Sequence, residues 1–390
     1  MDTSERRFDL DWVRVITMLV IFVFHSGMFF VSWPWHLKND QLSLPIEAFN
    51  GFADLWQMPM LFLVSGAATW FSLKLRRAGN FINERMLRLL IPLAFGTLVL
   101  VPLQIYFERI FKQQFHGSFF AFYPHFFQGT YSFTGTGNFG WSYLWFLVYL
   151  FIITLIAVPI FLFLSRPRGK NLADGLASFA SKPGAIFAWF LPMALCLALL
   201  QPLFPYSEKS LVGDMAWFTV YLFCFVFGYL FCTDRRFWDA IERHAFSALA
   251  LAAVTTAALA YLEYSKSMPA IGYSVESSGA LALRALCGWC WIITFLGMAK
   301  RFLSFSNRFL SYANEAVLPF YVLHHMVIIG VGFYVIQWDI PVLAKYLLII
   351  AMSFAIIMLL YEFVVKRTNM TRFLFGMRMK RRSGPPMPVD

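Results

Sequence analysis

Apolar residues dominate ten stretches of this sequence, and polar residues gather in the gaps between them. The stretches fall near residues 10–32, 49–73, 87–107, 142–164, 185–204, 215–233, 245–263, 279–299, 314–337 and 343–365. A helix needs about 20 apolar residues to cross the hydrocarbon core of a bilayer, so each stretch is predicted to be a membrane-spanning helix. Little chain is left for a soluble domain. The expected fold class is therefore an all-α integral membrane protein, a bundle of about ten transmembrane helices forming one domain over residues 1–378. A basic, Pro-ended tail at residues 379–390 is expected to be disordered and to lie near anionic headgroups.

The first stretch breaks its own pattern. It reads DLDWVRVITMLVIFVFHSGMFF, with Arg14 near one end and His25 eleven residues later. At 100° per residue, eleven steps return to within about 20° of the starting face and rise about 16 Å, so both side chains leave the helix on one side. An arginine facing lipid near a helix centre costs on the order of 3 kcal/mol, which drives such residues toward a bundle interior or a watery cavity. The pair marks a polar seam at two depths and a candidate functional site.

Composition agrees with the pattern. Hydrophobic residues make up 59% of the chain and charged residues 14%, against about 25% charged in soluble proteins. The net charge of +11 is not a nucleic-acid signature, because the cations alternate by loop. Arg6, Arg7, the group from Lys74 to Arg88, and the group from Arg166 to Lys182 fall on one predicted side. So do Arg235, Arg236, Arg243, Lys300, Arg301, Arg308 and the run from Lys366 to Arg382. The other loops hold only Lys38, Arg109, Lys112, Lys209, Lys266 and Lys345. Positive loops face the cytoplasm, so both termini are expected there, and that requires an even number of spans. A multi-pass protein of the bacterial inner membrane is the expected location. The first stretch is too long for a secretory signal and lacks a small-residue cleavage site, so it should stay in place.

Several short motifs lose their meaning in this setting. Gly135, Gly137 and Gly140 match GxGxxG, but that fingerprint needs a preceding strand, and here a membrane helix follows; the segment reads as a flexible loop. Cys287 and Cys290 form CxxC on an apolar helix without a second ligand pair, so no metal is expected. All five cysteines lie in or beside spans and read as buried thiols. Neither a Walker-type phosphate loop nor a GxSxG elbow occurs. Residues 33–48 and 108–141 form the two longer outer connections and can shape an outer-facing pocket.

Arg85 and Arg88 are three apart at the start of the third span and share a face. Guanidinium forks suit phosphate oxygens, so with Arg14 they make a candidate clamp for an anionic ligand; as bare topology anchors they would simply snorkel. His25 is the candidate general base, since imidazole takes and returns a proton near neutral pH. Tyr321, His324 and His325 form a second polar spot, with the tyrosine beside both imidazoles at offsets of three and four. Ser65 with Gly66, Asp54, Trp145, Arg284 and Glu362 are further polar or special positions. Gly66 reads as a close-packing site, Trp145 as an interfacial aromatic, and Arg284 with Glu362 as an ion pair inside the bundle.

Taken in order, these residues resemble the membrane-bound acyltransferase family 3. Arg14 and His25 match its first-helix signature, FLVSG at residues 62–66 resembles its FFxxSG element with Leu61 in place of one phenylalanine, and Arg85 with Arg88 matches its RxxR pair. Residues 144–147, Tyr321 with His324, and the closing LLYE at residues 359–362 resemble the branch of the family that works on periplasmic glucans. The resemblance covers nearly the whole chain. It implies transfer of an acyl group from cytoplasmic acyl-CoA, with succinyl-CoA as donor, to hydroxyls of an osmoregulated periplasmic glucan. Arg14, Arg85 and Arg88 would bind the CoA phosphates, Ser65 would line the donor site, His25 would be the base, and His324 and Tyr321 would join it as catalytic residues on the late helix that receives the sugar. A pantetheine arm is narrow enough to enter the bundle, and a succinyl carboxylate on that route calls for a cation such as Arg284. O-acetylation of another surface polysaccharide is the alternative within enzymes. A secondary transporter of an organic anion is the alternative from another class, but the inverted repeats typical of one are not seen.

Overall fold

The computed structural model describes residues 7–131, 135–205 and 209–380. Among them there is no strand, and helix follows helix along the chain. The first half contains α1 (Phe8–Gly27), α2 (Leu44–Asp54), α3 (Gln57–Leu75), α4 (Ala78–Phe95), α5 (Val101–Phe111), α6 (Phe119–Phe122), α7 (Trp145–Leu164) and α8 (Pro167–Ser181). The second contains α9 (Leu191–Leu200), α10 (Met215–Phe231), α11 (Arg235–Arg243), α12 (Ala245–Tyr264), α13 (Val275–Phe302), α14 (Arg308–Val335), α15 (Val342–Leu360) and α16 (Asn369–Leu374).

Joined across their bends, these make nine helices long and apolar enough to cross a membrane among the described residues. The protein is an all-α integral membrane protein. The stretch expected to be a span at 185–204 is instead the shorter apolar segment Ala185–Leu200, which begins as a 3-10 turn. Its length, about 27 Å from the rises of the two helix types, falls just short of a hydrocarbon core. Pro192 in the first turn of α9 marks where the tighter turn gives way to α-helix. Two of the spans that run longer than expected do so across an irregularity in the helix. α2 and α3 are one span broken at Leu55 and Trp56, and α4 runs through a π-turn at Gly96–Leu100 into α5. That second helix extends from Ala78 to Phe111, so it carries Arg85 and Arg88 near one end and Glu108 near the other.

Side-chain polarity is distributed for lipid. Leu155, Ile156, Ile160, Leu162 and Phe163 of α7 are exposed, whereas Thr17, Asn50, Gln57, Gln104, Glu108 and His324 are buried. With no hydrophobic gain from helix contact inside a bilayer, close packing must hold the bundle together. The pairing of α3 with α10 shows how. A Cβ on Gly66 would run into the backbone of Phe225, and one on Gly228 into the backbone of Leu63, so each glycine lets the other helix approach. α1 lies centrally, packed on α14, α13, α3 and α15, and its polar seam therefore faces protein.

Candidate active site

At the Arg14 end of the seam, the bundle encloses a cavity of about 510 Å³. Arg14, Ser65, Arg85, Arg88 and Tyr321 all line it, and so do Asn314, Glu315, Arg372 and Arg378. Arg14 donates to Asn314 Oδ1 at 2.6 Å and faces Asp11 at 3.5 Å. Arg85 donates to Thr69 Oγ1 at 3.2 Å, and Arg88 meets Glu84 at 3.4 Å. Glu315 is the one carboxylate among the lining residues, and Arg372 already engages it at 2.8 Å. The cavity thus has a surplus of guanidinium forks, the group best shaped for phosphate oxygens. It also holds the Asn314 Nδ2 group, a buried donor with no partner among the described residues. A phosphorylated ligand fits this donor set.

One turn along α14 from Tyr321, the chemistry changes. His324 Nδ1 lies 2.5 Å from the Tyr321 carbonyl oxygen, and His324 Nε2 lies 3.0 Å from His25 Nδ1. A carbonyl only accepts, so His324 Nδ1 carries the hydrogen. In the neutral ring Nε2 is then the acceptor, and His25 Nδ1 must donate to it. The consequence is that neutral His25 keeps its lone pair on Nε2, ready to take a proton. His25 is only partly buried, while His324 and His325 are closed off from solvent.

A second chain of bonds reaches the same place from the other end of the bundle. The carboxylate of Glu108 accepts from His36 Nδ1 at 2.5 Å and from the Tyr131 hydroxyl at 2.9 Å. With its hydrogen on Nδ1, His36 accepts at Nε2 from the Gln104 amide at 2.8 Å, and that amide also donates to Ser142 Oγ at 2.8 Å. The Gln104 carbonyl then accepts from His325 Nδ1 at 2.9 Å. One carboxylate therefore sets the direction of every bond up to His325. Burial, reinforced by Glu108, pushes the Tyr131 phenol well above its ordinary range, so it stays a donor.

Trp35 closes the layer. Its ring stacks on His25 with centroids 5.6 Å apart and meets His325 edge-on at 4.9 Å. Its buried indole N–H has no partner among the described residues. Tyr143 packs flat on His325 at 4.6 Å and exchanges hydrogen bonds with α14: it donates to the Val322 carbonyl at 2.5 Å, and its own carbonyl accepts from Tyr321 at 2.6 Å. Trp35 and His36 sit on the loop after α1, which Lys38 ties down by donating to the carbonyls of Met28 and Val31. Burial brings the Lys38 ammonium down to about 8, only partly opposed by Glu47.

A model of the acyltransferase 3 family, described as an acyltransferase domain, matches residues 7–362. The chain belongs to that family. Among curated proteins it is similar to glucans biosynthesis protein C of Escherichia coli (strain K12) and of Shigella dysenteriae serotype 1 (strain Sd197). Each is 26% identical over 161 residues, which cover 40% of this chain and 40% of the relative. No solved structure matches.

In this acyltransferase the fold brings Arg14, Ser65, Arg85, Arg88 and Tyr321 to one cavity, and His25 and His324 into contact beyond it. Arg284 is elsewhere. The expected Arg284–Glu362 pair does not form: Arg284 binds Asp54 at 2.6 Å, where the break between α2 and α3 presents that carboxylate, and it does not line the cavity. Glu362 instead meets Lys366 and Tyr312, both at 3.1 Å. The glycine-rich segment is a loop held by Arg109, which donates to the Gly137 carbonyl and Asn138. Cys287 and Cys290 are buried free thiols. Met379 and Lys380 of the tail are described, and its remainder lies outside the described residues.

Sequence reasoning missed Trp35, His36, Gln104, Glu108 and Tyr131. A usable signal was present in Glu108, an acid inside the largely apolar VPLQIYFERIF, since an intramembrane charge calls for a partner. Arg372 and Arg378 were also missed, because they read as ordinary topology charges after the last span.

Proposed function

We propose that this acyltransferase moves an acyl group from cytoplasmic acyl-CoA to hydroxyls of a glucan on the far side of a bacterial inner membrane, with both termini in the cytoplasm and the shorter Ala185–Leu200 segment serving as the tenth crossing that this orientation requires. Succinyl is the acyl group and an osmoregulated periplasmic glucan the acceptor. The name of the curated relatives, glucans biosynthesis protein C, supports the acceptor; the motif resemblance supports succinyl. The observation that carries the reading is the bond chain from the Tyr321 carbonyl through His324 to His25, one turn beyond a cavity ringed by arginines.

Arg14, Arg85 and Arg88 hold the donor's phosphates, and Ser65 and Tyr321 flank the arm that carries the thioester inward. His25 Nε2 removes the proton of the acceptor hydroxyl as its oxygen attacks the thioester carbonyl carbon. The carbon–sulfur bond then breaks, and the His25 imidazolium returns that proton to the departing thiolate. Throughout, His25 Nδ1–H remains bonded to His324, which spreads the transient positive charge toward the Tyr321 carbonyl. The Trp35 indole N–H, buried beside His25, donates to the oxyanion of the tetrahedral intermediate.

Mass spectrometry of periplasmic glucans and envelope polysaccharides, from cells with the gene, without it, and with His25→Ala as the sole copy, tests this. Acyl groups on the glucan are expected only with the wild-type gene. Normal acylation in the His25→Ala strain would overturn the base, and acyl groups lost from a different polysaccharide would overturn the acceptor.

A further inference from the structure

The resemblance accounts for three of the five arginines around the cavity. The other two come from the segment after the last long helix, which folds back onto the bundle. α16 ends in a turn at Gly376, whose φ of +67° a side chain would strain, and a Cβ there would lie 2.6 Å from the Arg88 carbonyl oxygen. The segment is closed by bonds between Asn369 and the backbone of Lys380. It is also fixed by Arg372, which is buried, donates from Nε to the Arg378 carbonyl at 2.7 Å and pairs with Glu315. Arg378 is exposed, and it faces both the cavity and a shallower recess beside Glu84 and Arg88. It stands at the lip, while Arg14 and Arg85 lie further in.

We infer that Arg378, backed by Arg372, forms a separate phosphate subsite at the mouth of the cavity that takes the 3′-phosphate of the CoA donor. This rests on the donor reading above. A CoA thioester must point its sulfur toward Tyr321 and His324, so its phosphates are met in a fixed order from the inside out. The diphosphate falls to the inner arginines, and the 3′-phosphate, at the end farthest from the sulfur, reaches the lip. Two groups of cations match two groups of phosphates, and guanidinium forks suit both.

Isothermal titration of the full-chain protein in nanodiscs, with CoA and 3′-dephospho-CoA as the two probes, tests the subsite. Wild type is expected to bind CoA about tenfold or more tightly than 3′-dephospho-CoA, the size of one charge-assisted contact. Arg378→Gln should bring the two probes to within about twofold by weakening CoA alone. Its side chain is exposed, so folding is not at stake. Arg367→Gln removes a charge from the same segment outside the cavity, where the guanidinium lies over Phe363, and should leave the wild-type ratio. Equal binding of both probes by wild type, or an unchanged ratio in Arg378→Gln, overturns the subsite while the donor reading stands. Failure of wild type to bind either probe overturns the donor reading and the subsite with it.

Discussion

Around Arg14 the polar groups are charged, partly exposed and loosely paired, with several guanidinium groups facing one cavity. Around His25 they are mostly rings and amides, largely buried and bonded head to tail in two chains, one ending in the His25–His324 pair and the other, headed by Glu108, ending at His325, whose ring packs edge-on against His25. The two regions are one helix face apart by about 16 Å, yet they are built on different principles. The first gathers charge and tolerates slack, because Coulomb attraction to a phosphate is long-ranged and only weakly directional. The second stores direction, because a proton can be taken only where a lone pair points. Damage to the first should therefore appear in binding, and damage to the second in turnover.

The two regions differ most at His25. His25→Ala should cut kcat about 10²- to 10⁴-fold, the usual weight of a general base, with donor KM little changed. A variant whose only defect is in KM would place His25 with the binding region. Trp35→Phe keeps the stacked ring and removes the N–H, and should lower kcat about 10²-fold if it serves the oxyanion. Retained turnover would mean that Trp35 only packs. Arg85→Gln tests the other region: donor KM should rise about 10- to 100-fold with kcat nearly held, and wild-type donor binding should weaken as salt screens the cavity. Salt-independent binding would contradict recognition by charge.

Glu108→Gln sharpens the account of the directed chain. A neutral amide can donate toward His36 and reverse the bond direction through Gln104, so kcat should fall about tenfold without any change in donor KM. Equal kcat would show that the direction of that chain does not matter. Lys38 gives the smallest effect and concerns stability alone. Its folded pKa, about 8, lies below its ordinary 10.5, so between those values the folded chain holds fewer protons than the unfolded one, and stability rises with pH across that window. Relative to Lys38→Met, wild-type melting temperature should climb between pH 8 and pH 10. A flat difference would remove this contribution.

What could be read in advance was whatever one helix encodes by itself. Arg14 and His25 share a face because of the helical period, as do Arg85 and Arg88, and the notion of one cationic cavity followed from those faces. The histidine layer was half legible. His25 and His324 each lie in a regular helix, but Trp35 and His36 sit in an aperiodic loop whose course depends on the Lys38 bonds and on contacts far away in sequence. Arg284 shows the limit most plainly. A cation within an apolar helix needs an anion, which sequence can state, but whether that anion is Glu362 or Asp54 depends on a helix break at Leu55 and on how α13 packs beside it.

The sequence by itself determined the membrane class, the polar seam on α1 and the pairing of arginines on α4, because hydrophobic length and helical period are local properties of the chain. The tertiary structure decided that Arg372 and Arg378 return to the cavity, that Glu108 orients His325 through His36 and Gln104, and that His25 keeps its lone pair on Nε2. Those outcomes depend on which acceptor lies within hydrogen-bond reach of which ring, and only the packing of helices distant in sequence brings them there.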